Sequence, residues 1–364
     1  MFETLFADPT VQFIAFSTVK ILVVFGIVMT FVAYAVLVER KISAFIQDRV
    51  GPNRTAPPFV MKIPIIGPFL VHCGIFQPLA DGLKFLLKED FTPGYVRKVY
   101  FWLAPAIAVI PAFLTLAVIP FGSKLGEQHM VIADLNVGIL YTLGIVSLGV
   151  YGIVLAGWSS NSKYPFLGGI RSSAQMISYE LAMGMSVVAV FLVAGDLNLG
   201  RIVEYQAHHG WMVIYQPVAF LIFLVAAFAE TNRLPFDMPE SESELVGGYH
   251  TEYSSMKFAL FFLGEYANMI ASSAMMVTLF LGGWSLPFLG EPASSLFGGL
   301  LHIAIFVGKL LVLMGVFIWV RWMLPRFRYD QLMDLGWRRF IPLALANIVV
   351  TALVLAVWDH SHGT

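Results

Sequence analysis

Apolar residues in this chain form long runs, and polar residues separate one run from the next. A helix needs about 20 mostly apolar residues to cross a bilayer, because each residue adds only ~1.5 Å along the helix axis. Eight runs meet this requirement, at about residues 14–38, 99–121, 136–158, 174–195, 211–230, 256–284, 297–322 and 340–358. The pattern predicts an all-α integral membrane protein, a bundle of about eight transmembrane helices in one domain over residues 1–364.

Two segments between these runs have patterns of their own. Residues 40–98 form a long loop rich in Pro and Gly, and residues 231–255 form a shorter acidic loop. In "QPLADGLKFLLKED" the leucines share one helical face and the charged residues lie elsewhere: Leu79, Leu83, Leu86 and Leu87 against Asp81, Lys84 and Lys88. This spacing predicts an amphipathic interfacial helix after the first span, either as part of a site or simply as a surface helix.

The distribution of Lys and Arg predicts the orientation of the bundle. The loops after the first, third, fifth and seventh runs hold 18 of the 22 basic residues. Basic loops remain on the cytoplasmic side during insertion. We therefore expect both termini outside and the four basic loops, including 40–98 and 231–255, in the cytoplasm, or in the matrix of an organelle.

Composition supports the membrane assignment and excludes several functions. The chain is 58% hydrophobic and 12% charged, and its mean hydropathy is +0.79. Cys73 is the only cysteine, the eight histidines lack ligand spacing, and no Gly-rich phosphate loop follows a strand. These features predict that the chain binds no iron–sulfur cluster, zinc or nucleotide. If it takes part in redox chemistry, another subunit brings the electrons.

Three ionisable residues fall inside the apolar runs and are candidates for function. Glu180 lies about nine residues beyond Arg171, which places it roughly 14 Å deep at ~1.5 Å per residue. Glu265 and Lys309 are similarly central in the sixth and seventh runs. An ionised group at that depth costs at least ~2.5–3.5 kcal/mol, so such residues usually mark ion or proton paths. For Lys309, a structural ion pair with one of the acids is the alternative. Polar residues on the helix of Glu180 are candidates to hold water or relay protons: Ser172, Ser173, Gln175, Ser178 and Tyr179.

The segment "AETNRLPFDMPESESELVGGYHTEYSSM" concentrates carboxylates around one arginine, Arg233. Its acids are Glu230, Asp237, Glu240, Glu242, Glu244 and Glu252. Clustered like charges raise some carboxyl pKa values toward neutrality, where protons exchange readily. The cluster therefore favours a proton-conducting or redox-coupled site.

Part of this acidity also has a purely structural interpretation. Ser241 and Glu244 match the S-x-x-E capping box, which predicts a short helix that ends at Gly247-Gly248. Such a helix would explain Glu242 and Glu244. It leaves Glu230, Asp237 and Glu240 unexplained.

Five long motifs resemble the NuoH family of membrane subunits of respiratory complex I, the NADH:quinone oxidoreductase. They are "ERKISAFIQDRVGPNR" (39–54), "GIFQPLADGLKFLLKED" (74–90), "AGWSSNSKYPFLGGIRSSAQMISYE" (156–180), "AETNRLPFDMPESESELVGGYHTEYSSMKFALFFLGEY" (229–266) and "WVRWMLPRFRYDQLMDLGW" (319–337). They follow the family order over almost the whole chain. The chain departs from the family at 55–73, where "TAPPFVMKIPIIGPFLVHC" replaces a few residues.

The resemblance implies a membrane subunit that forms much of a quinone chamber and links quinone reduction to proton translocation. It implies a quinone substrate, no cofactor on this chain, and FMN and iron–sulfur clusters in partner subunits of the complex. It also implies a bacterial inner membrane, or an organellar one, and no nucleic-acid partner. Carried over by motif, the chamber residues are Arg40, Asp81, Arg233, Arg321 and Arg326. The proton pathway comprises Glu180, Glu230, Asp237, Glu240, Glu242, Glu244, Glu252 and Glu265.

Two alternatives remain open on the sequence. One is the equivalent membrane subunit of a proton-pumping hydrogenase or of a quinone oxidoreductase with another electron donor, although "GPNR" and "QPLADG" favour the quinone form. The other is a stand-alone ion-coupled transporter. Long, highly charged inner loops in place of broken helices around a substrate cavity argue against the transporter.

Overall fold

The computed structural model describes residues 9–61, 66–125, 128–287 and 295–362. Seven helical segments in these ranges are long and apolar enough to cross a membrane. Six are single helices: α1 (Pro9–Ile46), α5 (Lys98–Thr115), α6 (Gly138–Ser159), α7 (Lys163–Ala194), α12 (Ser255–Phe280) and α13 (Leu296–Met323). The seventh is continuous from α14 (Tyr329–Asp334) through a π-helical turn (Leu335–Phe340) into α15 (Ile341–His362). The predicted all-α membrane fold is confirmed.

Shorter elements connect the long helices. On the side with few basic residues, here called the outer end, they are the paired strands β1 (Lys124–Leu125) and β2 (Gln128–His129), α8 (Leu199–His209) and α9 (Met212–Tyr215). On the basic side, the inner end, they are α2 (Pro58–Met61), α3 (Ile66–Cys73), α4 (Gln77–Leu87), α11 (Glu242–Leu245) and a 3₁₀ turn (Gly248–His250).

The fifth predicted span, 211–230, is shorter than expected. It divides at Gln216 into α9 and α10 (Pro217–Glu230), which has only 14 residues. Pro217 explains the division, since its nitrogen has no hydrogen to continue the helix and suits a first helical position. The bundle is therefore seven long helices and one short one in the part of the chain that the structure describes.

The core of the bundle surrounds α12. Two-thirds of its most apolar window is buried (67%), against 22% for α1 and 11% for the last span. Small residues allow close helix contacts: a Cβ on Gly152 of α6 would lie 2.6 Å from the backbone nitrogen of Ala108 in α5. The outermost helices, α1 and α15, keep broad apolar faces exposed.

The amphipathic segment forms the predicted helix, α4. Pro78 occupies its first turn, and no side chain of the helix is buried. Its leucines are exposed, as an interfacial helix requires: Leu79, Leu83, Leu86 and Leu87. The hydroxyl of Ser255, at the start of α12, donates to the carbonyls of Phe85 and Lys88, so α4 is fixed to the inner end of the bundle.

The predicted capping box in the acidic loop is wrong. Helix α11 begins after Ser241, but the Ser241 hydroxyl makes no capping hydrogen bond. Its φ of 22° departs from the extended conformation that a capping residue needs. The helix also ends at Leu245, before the two glycines. Gly248 instead allows a tight fold-back, since a Cβ there would lie 1.6 Å from the carbonyl oxygen of Pro239.

Candidate functional site

Buried charges at the inner end of the bundle form the most unusual group of side chains in the described residues. Helix α1 continues past its apolar run to Ile46, so Glu39 lies inside the helix and only 4% exposed. Its carboxylate accepts hydrogen bonds from Arg233 (2.7 Å), from the Tyr266 hydroxyl (2.7 Å) and from Arg321. Three elements distant in the sequence therefore meet at one carboxylate.

Arg233 lies at the centre of this group and is 2% exposed. Its Nε lies 2.5 Å from Glu265 Oε1, and its guanidinium carbon lies 4.3 Å from the centre of the Tyr266 ring. Burial alone would lower the pKa of Arg233, but the carboxylates of Glu265 and Glu39 outweigh burial and raise it. With Arg321, the group contains two arginines and two glutamates, which balances its charge in a site where an unpaired ion would be costly.

Gln175 of α7 holds the loop that carries Arg233. Its amide nitrogen donates to the carbonyls of Ala229 (2.6 Å) and Phe236 (2.7 Å), on either side of the arginine, and lies 3.2 Å from Asn232 Oδ1. These bonds satisfy backbone groups that leave the helix ladder at the end of α10. Gln175 thus fixes the loop rather than facing open water.

A second buried pair lies beside the first. Asp237 is 6% exposed, and its Oδ2 accepts a hydrogen bond from Arg326 at 2.9 Å. Burial raises the pKa of Asp237, although Arg326 opposes the shift. Burial also raises the pKa of Glu240 well above its usual range, and the charges of Glu265 and Asp237 add to the shift. Two carboxyl groups with raised pKa values therefore lie in this loop.

His250 faces Glu240, with 3.7 Å between Nδ1 and Oε1. Burial lowers the pKa of His250 to about 4, so the imidazole is neutral at pH 7. Its ring packs against Tyr249, Phe258 and Phe262.

A cavity of about 30 Å³ connects the acids of the loop with those of the helices. Glu230, Glu240, Glu265 and Asn268 are among its lining residues. This volume is sufficient for one water molecule. Glu230 is 5% exposed, and its Oε2 has no hydrogen-bond partner among the described residues. Glu230 also interacts electrostatically with Glu180, which lies half-buried on α7.

The polar residues on the helix of Glu180 bond to protein groups. Tyr179 donates to the carbonyl of Leu332, and Ser178 donates to that of Ala174 while it accepts from Trp337. Ser173 donates to the carbonyl of Ile170, and Ser172 contacts the sulfur of Met176. Because the hydroxyl groups of these four residues contact other protein groups, the structure gives them a structural role.

Several predicted residues lie apart from the buried group. Glu244 pairs with Arg171 (2.5 Å) and is 49% exposed, and Glu252 accepts from the Tyr95 hydroxyl at 2.8 Å. The side chain of Glu242 lies outside the described part of the structure. The acidic segment is thus divided between a buried group and a surface group.

Arg40 and Asp81 form a third location, on the exposed face of α1. They pair at 2.7 Å, and Asp81 also accepts from Gln77, whose Oε1 accepts from the Thr55 hydroxyl. Adjacent residues Glu39 and Arg40 therefore face different surroundings. Thr55 belongs to the 55–73 segment, of which residues 62–65 lie outside the described residues.

In the part of the chain that the structure describes, Lys309 forms no ion pair with Glu180, Glu265 or another acid, which was the alternative that the sequence left open. Its ammonium donates to the carbonyls of Leu281 (2.6 Å), Gly283 (2.9 Å) and Ser285 (2.5 Å) just beyond α12. It also lies 4.8 Å from the centre of the Trp211 ring. The lysine thus completes the outer end of α12, where backbone carbonyls lack helical partners.

Two central residues, Glu39 and Tyr266, were missed as site residues by the sequence prediction. Glu39 directly follows the first apolar run, 14–38, but α1 continues to Ile46 and so places Glu39 seven residues inside the helix. Tyr266 follows Glu265 in the "GEY" motif, but nothing local indicates that its hydroxyl reaches α1. Within the described ranges, no group of three or more His, Cys, Asp or Glu side chains could hold a metal ion.

The family model described as NADH dehydrogenase matches residues 19–352. An H-type subunit of the NADH-quinone oxidoreductase of Cytophaga hutchinsonii is 46% identical over 355 residues, which cover 96% of this chain and 99% of the relative. The H-type relative from Geobacter metallireducens is 50% identical, with 95% and 98% covered, and that from Flavobacterium johnsoniae is 45% identical, with 95% and 97% covered. Identity at this level over nearly the full length of each protein shows that the chain belongs to the NuoH family, the H-type integral membrane subunits of NADH-quinone oxidoreductase.

Proposed function

We propose that this chain forms part of a quinone chamber at its inner end and passes protons from it into the bundle through buried carboxylates. The observation that carries the proposal is the buried group around Arg233, joined by a water-sized cavity to Glu230. A structural role alone does not require so many ionisable groups, since apolar residues would pack as well without the desolvation cost.

Quinone reduction explains why arginines and acids occur together. Conversion of a quinone to a quinol takes two electrons and two protons. The electrons come from iron–sulfur clusters in a partner subunit, and the transient negative charge on the quinone attracts cations. Among the arginines that pair with the buried acids, Arg321 and Arg326 are the more accessible, with side chains 27% and 26% exposed against 2% for Arg233. A change of charge beside them alters the protonation of Asp237, with which both interact, and of Glu240, with which Arg321 interacts.

The mouth of the chamber lies at the Arg40–Asp81 pair. Helix α4 contributes Asp81 and presents its leucines toward lipid, where an apolar quinone tail would lie. A cavity of about 300 Å³ adjoins this region and is lined by Asn53, Pro68, Val71 and His72. Lys41, next to Arg40 on α1, donates a hydrogen bond to the carbonyl of His72 and so joins this helix to the cavity wall. Helix α3 (Ile66–Cys73) thus forms one side of the mouth.

The proton path starts at the inner surface and leads inward. Glu244 and Glu252 lie at the surface, within reach of water. Glu240 and Glu265 line the cavity, Glu230 lies at its edge, and Glu180 follows on α7. From Glu240 inward, each step joins groups that share a cavity or interact electrostatically.

The partners follow from the family. The names of the relatives identify subunits of a multisubunit enzyme, so we assign to this chain other subunits as neighbours, with FMN and iron–sulfur clusters in the peripheral ones. The exposed faces of α1 and α15 suit lateral contacts with membrane subunits. The three relatives named above come from bacteria, which favours the bacterial inner membrane.

Substitution of Glu180 tests the proton path. Glu180→Gln keeps the size and the hydrogen-bonding capacity of the side chain but removes its titrating proton. The complex should assemble, whereas proton pumping and tightly coupled quinone reduction should fall at least tenfold. Glu180→Asp should retain part of both activities, since it keeps the acid one methylene shorter.

The measurement uses the intact complex in sealed vesicles, with NADH oxidation followed beside a pH-sensitive dye. Native electrophoresis confirms assembly, and Glu204→Gln on α8 at the outer end provides a matched control. Normal pumping by an assembled Glu180→Gln complex would remove Glu180 from the path.

A further inference from the structure

Two small cavities meet at Asn268 of α12. The first, of about 30 Å³, is the polar cavity already described, with Glu230, Glu240 and Glu265 in its wall. The second also has about 30 Å³, and most of its lining side chains are apolar, among them Leu143, Val146, Met183 and Phe223. Glu230 and Asn268 line both cavities. These two side chains therefore separate a polar space from an apolar one.

Asn268 has an amide group that the protein itself does not satisfy. The residue is partly buried, and among the described residues its side chain has no hydrogen-bond partner. The Oε2 atom of Glu230, which lines the same cavities, is buried and also lacks a hydrogen-bond partner among the described residues. Leaving such groups without partners in a membrane interior is costly. A water in the polar cavity would have several of the two to four polar partners that buried waters need.

We propose that Asn268 is a positioning residue of the proton path, whose amide holds the water that carries protons between Glu230 and the Glu240–Glu265 pair. This inference rests on the proposed function. The amide nitrogen donates to the water oxygen and orients both water hydrogens toward acceptors. The water accepts a proton from one carboxyl group and gives another proton to the carboxylate on its far side, so its own composition does not change.

The second cavity favours one route for a proton that moves beyond Asn268. Leu143, Val146, Met183 and Phe223 make much of its wall apolar. Thr115, Thr142 and Ser272 also line it, but the two threonine hydroxyls already donate to the carbonyls of Ala112 and Ile139. The second cavity therefore offers water fewer partners than the first, which favours transfer of the proton onward through the carboxyl group of Glu230.

Two variants of Asn268 test this role in the intact complex. Asn268→Leu keeps the volume but cannot bond to water, so pumping and coupled NADH oxidation should fall at least tenfold with normal assembly. Asn268→Ser keeps a hydroxyl and leaves room for a second water, so at least about half of the activity should remain. Its slower proton transfer should increase the solvent deuterium isotope effect on coupled turnover, which a purely structural role would not change.

Glu230→Gln, measured in parallel, separates this inference from the proposed function. Normal pumping by Asn268→Leu beside an inactive Glu230→Gln would overturn the role of Asn268 and leave the path intact. Normal pumping by Glu230→Gln would overturn both. If Asn268→Leu does not assemble, Asn268→Ser decides: an unchanged isotope effect contradicts the proposal, and a larger one supports it.

Discussion

Glu39 and Arg233 illustrate how single residues determine the electrostatics of the inner end. Each is buried, and each has two partners of opposite charge: Glu39 contacts Arg233 and Arg321, and Arg233 contacts Glu39 and Glu265. Removal of one partner from a buried pair typically costs about 3–5 kcal/mol, because the other charge remains desolvated. Because Glu39 and Arg233 each have two partners, each of them keeps one counter-ion when its other partner moves away.

His250 makes the stability of the chain depend on pH in a predictable direction. Burial lowers its pKa from 6.5 to about 4 in the folded protein. Between these values the unfolded chain binds a proton that the folded chain does not, so stability is complete above pH 6.5 and is lost as the pH falls toward 4. The expected loss is about 3 kcal/mol at pH 4.

Replacement of His250 by Gln should remove this loss. Thermal midpoints of the purified complex, measured from pH 7.5 to pH 5, should fall less steeply for His250→Gln than for the natural chain. Glu240 changes the stability in the opposite direction. Its pKa is raised in the folded protein, so on acidification the folded state binds a proton before the unfolded state does and is stabilised. An identical slope in both proteins would contradict the assignment.

The residues of the site were predictable where the sequence places a charge in an apolar context. Glu180 and Glu265 stand out in this way and Glu230 stands out in the acidic segment, and the structure places all three in or beside the buried group, whereas Lys309 lies at the outer end. The partners of those charges could not be predicted, since they depend on contacts between distant helices. Glu39 pairs with Arg321 across 282 positions of the chain.

At the level of elements, the ends of helices were the hardest features to predict. The strong period of the leucines identified α4 correctly, whereas the S-x-x-E motif predicted a capping box that the backbone at Ser241 does not allow. The reason is that a cap requires one backbone conformation, and the fold-back at Gly248 imposes another. Likewise, Gln216 and Pro217 interrupt the apolar run 211–230, but a criterion of length and hydropathy alone does not detect the division between α9 and α10.

Lys309 shows how one side chain can complete an element. Its ammonium serves the three carbonyls beyond α12, so Lys309→Met would leave them without donors in an apolar region. Each buried carbonyl without a partner costs about 1–3 kcal/mol, and the contact with the Trp211 ring is lost as well. We expect a lower thermal midpoint and less assembled complex, while quinone reduction per assembled complex stays unchanged.

A comparison with Lys163→Met provides the control, since that lysine is exposed at the start of α7. Thermal scans of both complexes and quinone reduction normalised to FMN content are the measurements. A complex of normal stability with impaired pumping would show that Lys309 acts in proton transfer instead.

Over the whole molecule, the charges are arranged by depth and by side. The inner end has the exposed pairs Arg171–Glu244 and Arg40–Asp81 at its surface and the group around Arg233 buried within it, and the helices hold further acids such as Glu180 and Glu230. The outer end has its own exposed pair, Arg201 with Asp196. A protein that only anchored its partners would not need acids that continue from the surface into the bundle.

Arg321 connects this arrangement to the activity of the complete enzyme. Because Glu39 keeps Arg233 as a partner, Arg321→Met should not leave an isolated buried charge, and the complex should assemble. A hydrogen bond to a charged group contributes about 1.5–3 kcal/mol, so the KM for quinone should rise roughly ten- to a hundredfold. Arg40→Met, at the mouth, should also weaken quinone reduction, but less, since that arginine is 48% exposed.

Two activities of the same preparation distinguish chemistry from assembly. Reduction of the iron–sulfur clusters by NADH takes place in partner subunits and should stay unchanged in both variants, whereas electron transfer to quinone should decline. Arg338→Met is the control, because that arginine is 83% exposed and pairs only with Asp334 of its own helical turn among the contacts described. Equal loss of cluster reduction and quinone reduction in Arg321→Met would mean that the arginine supports assembly and has no specific role toward the quinone.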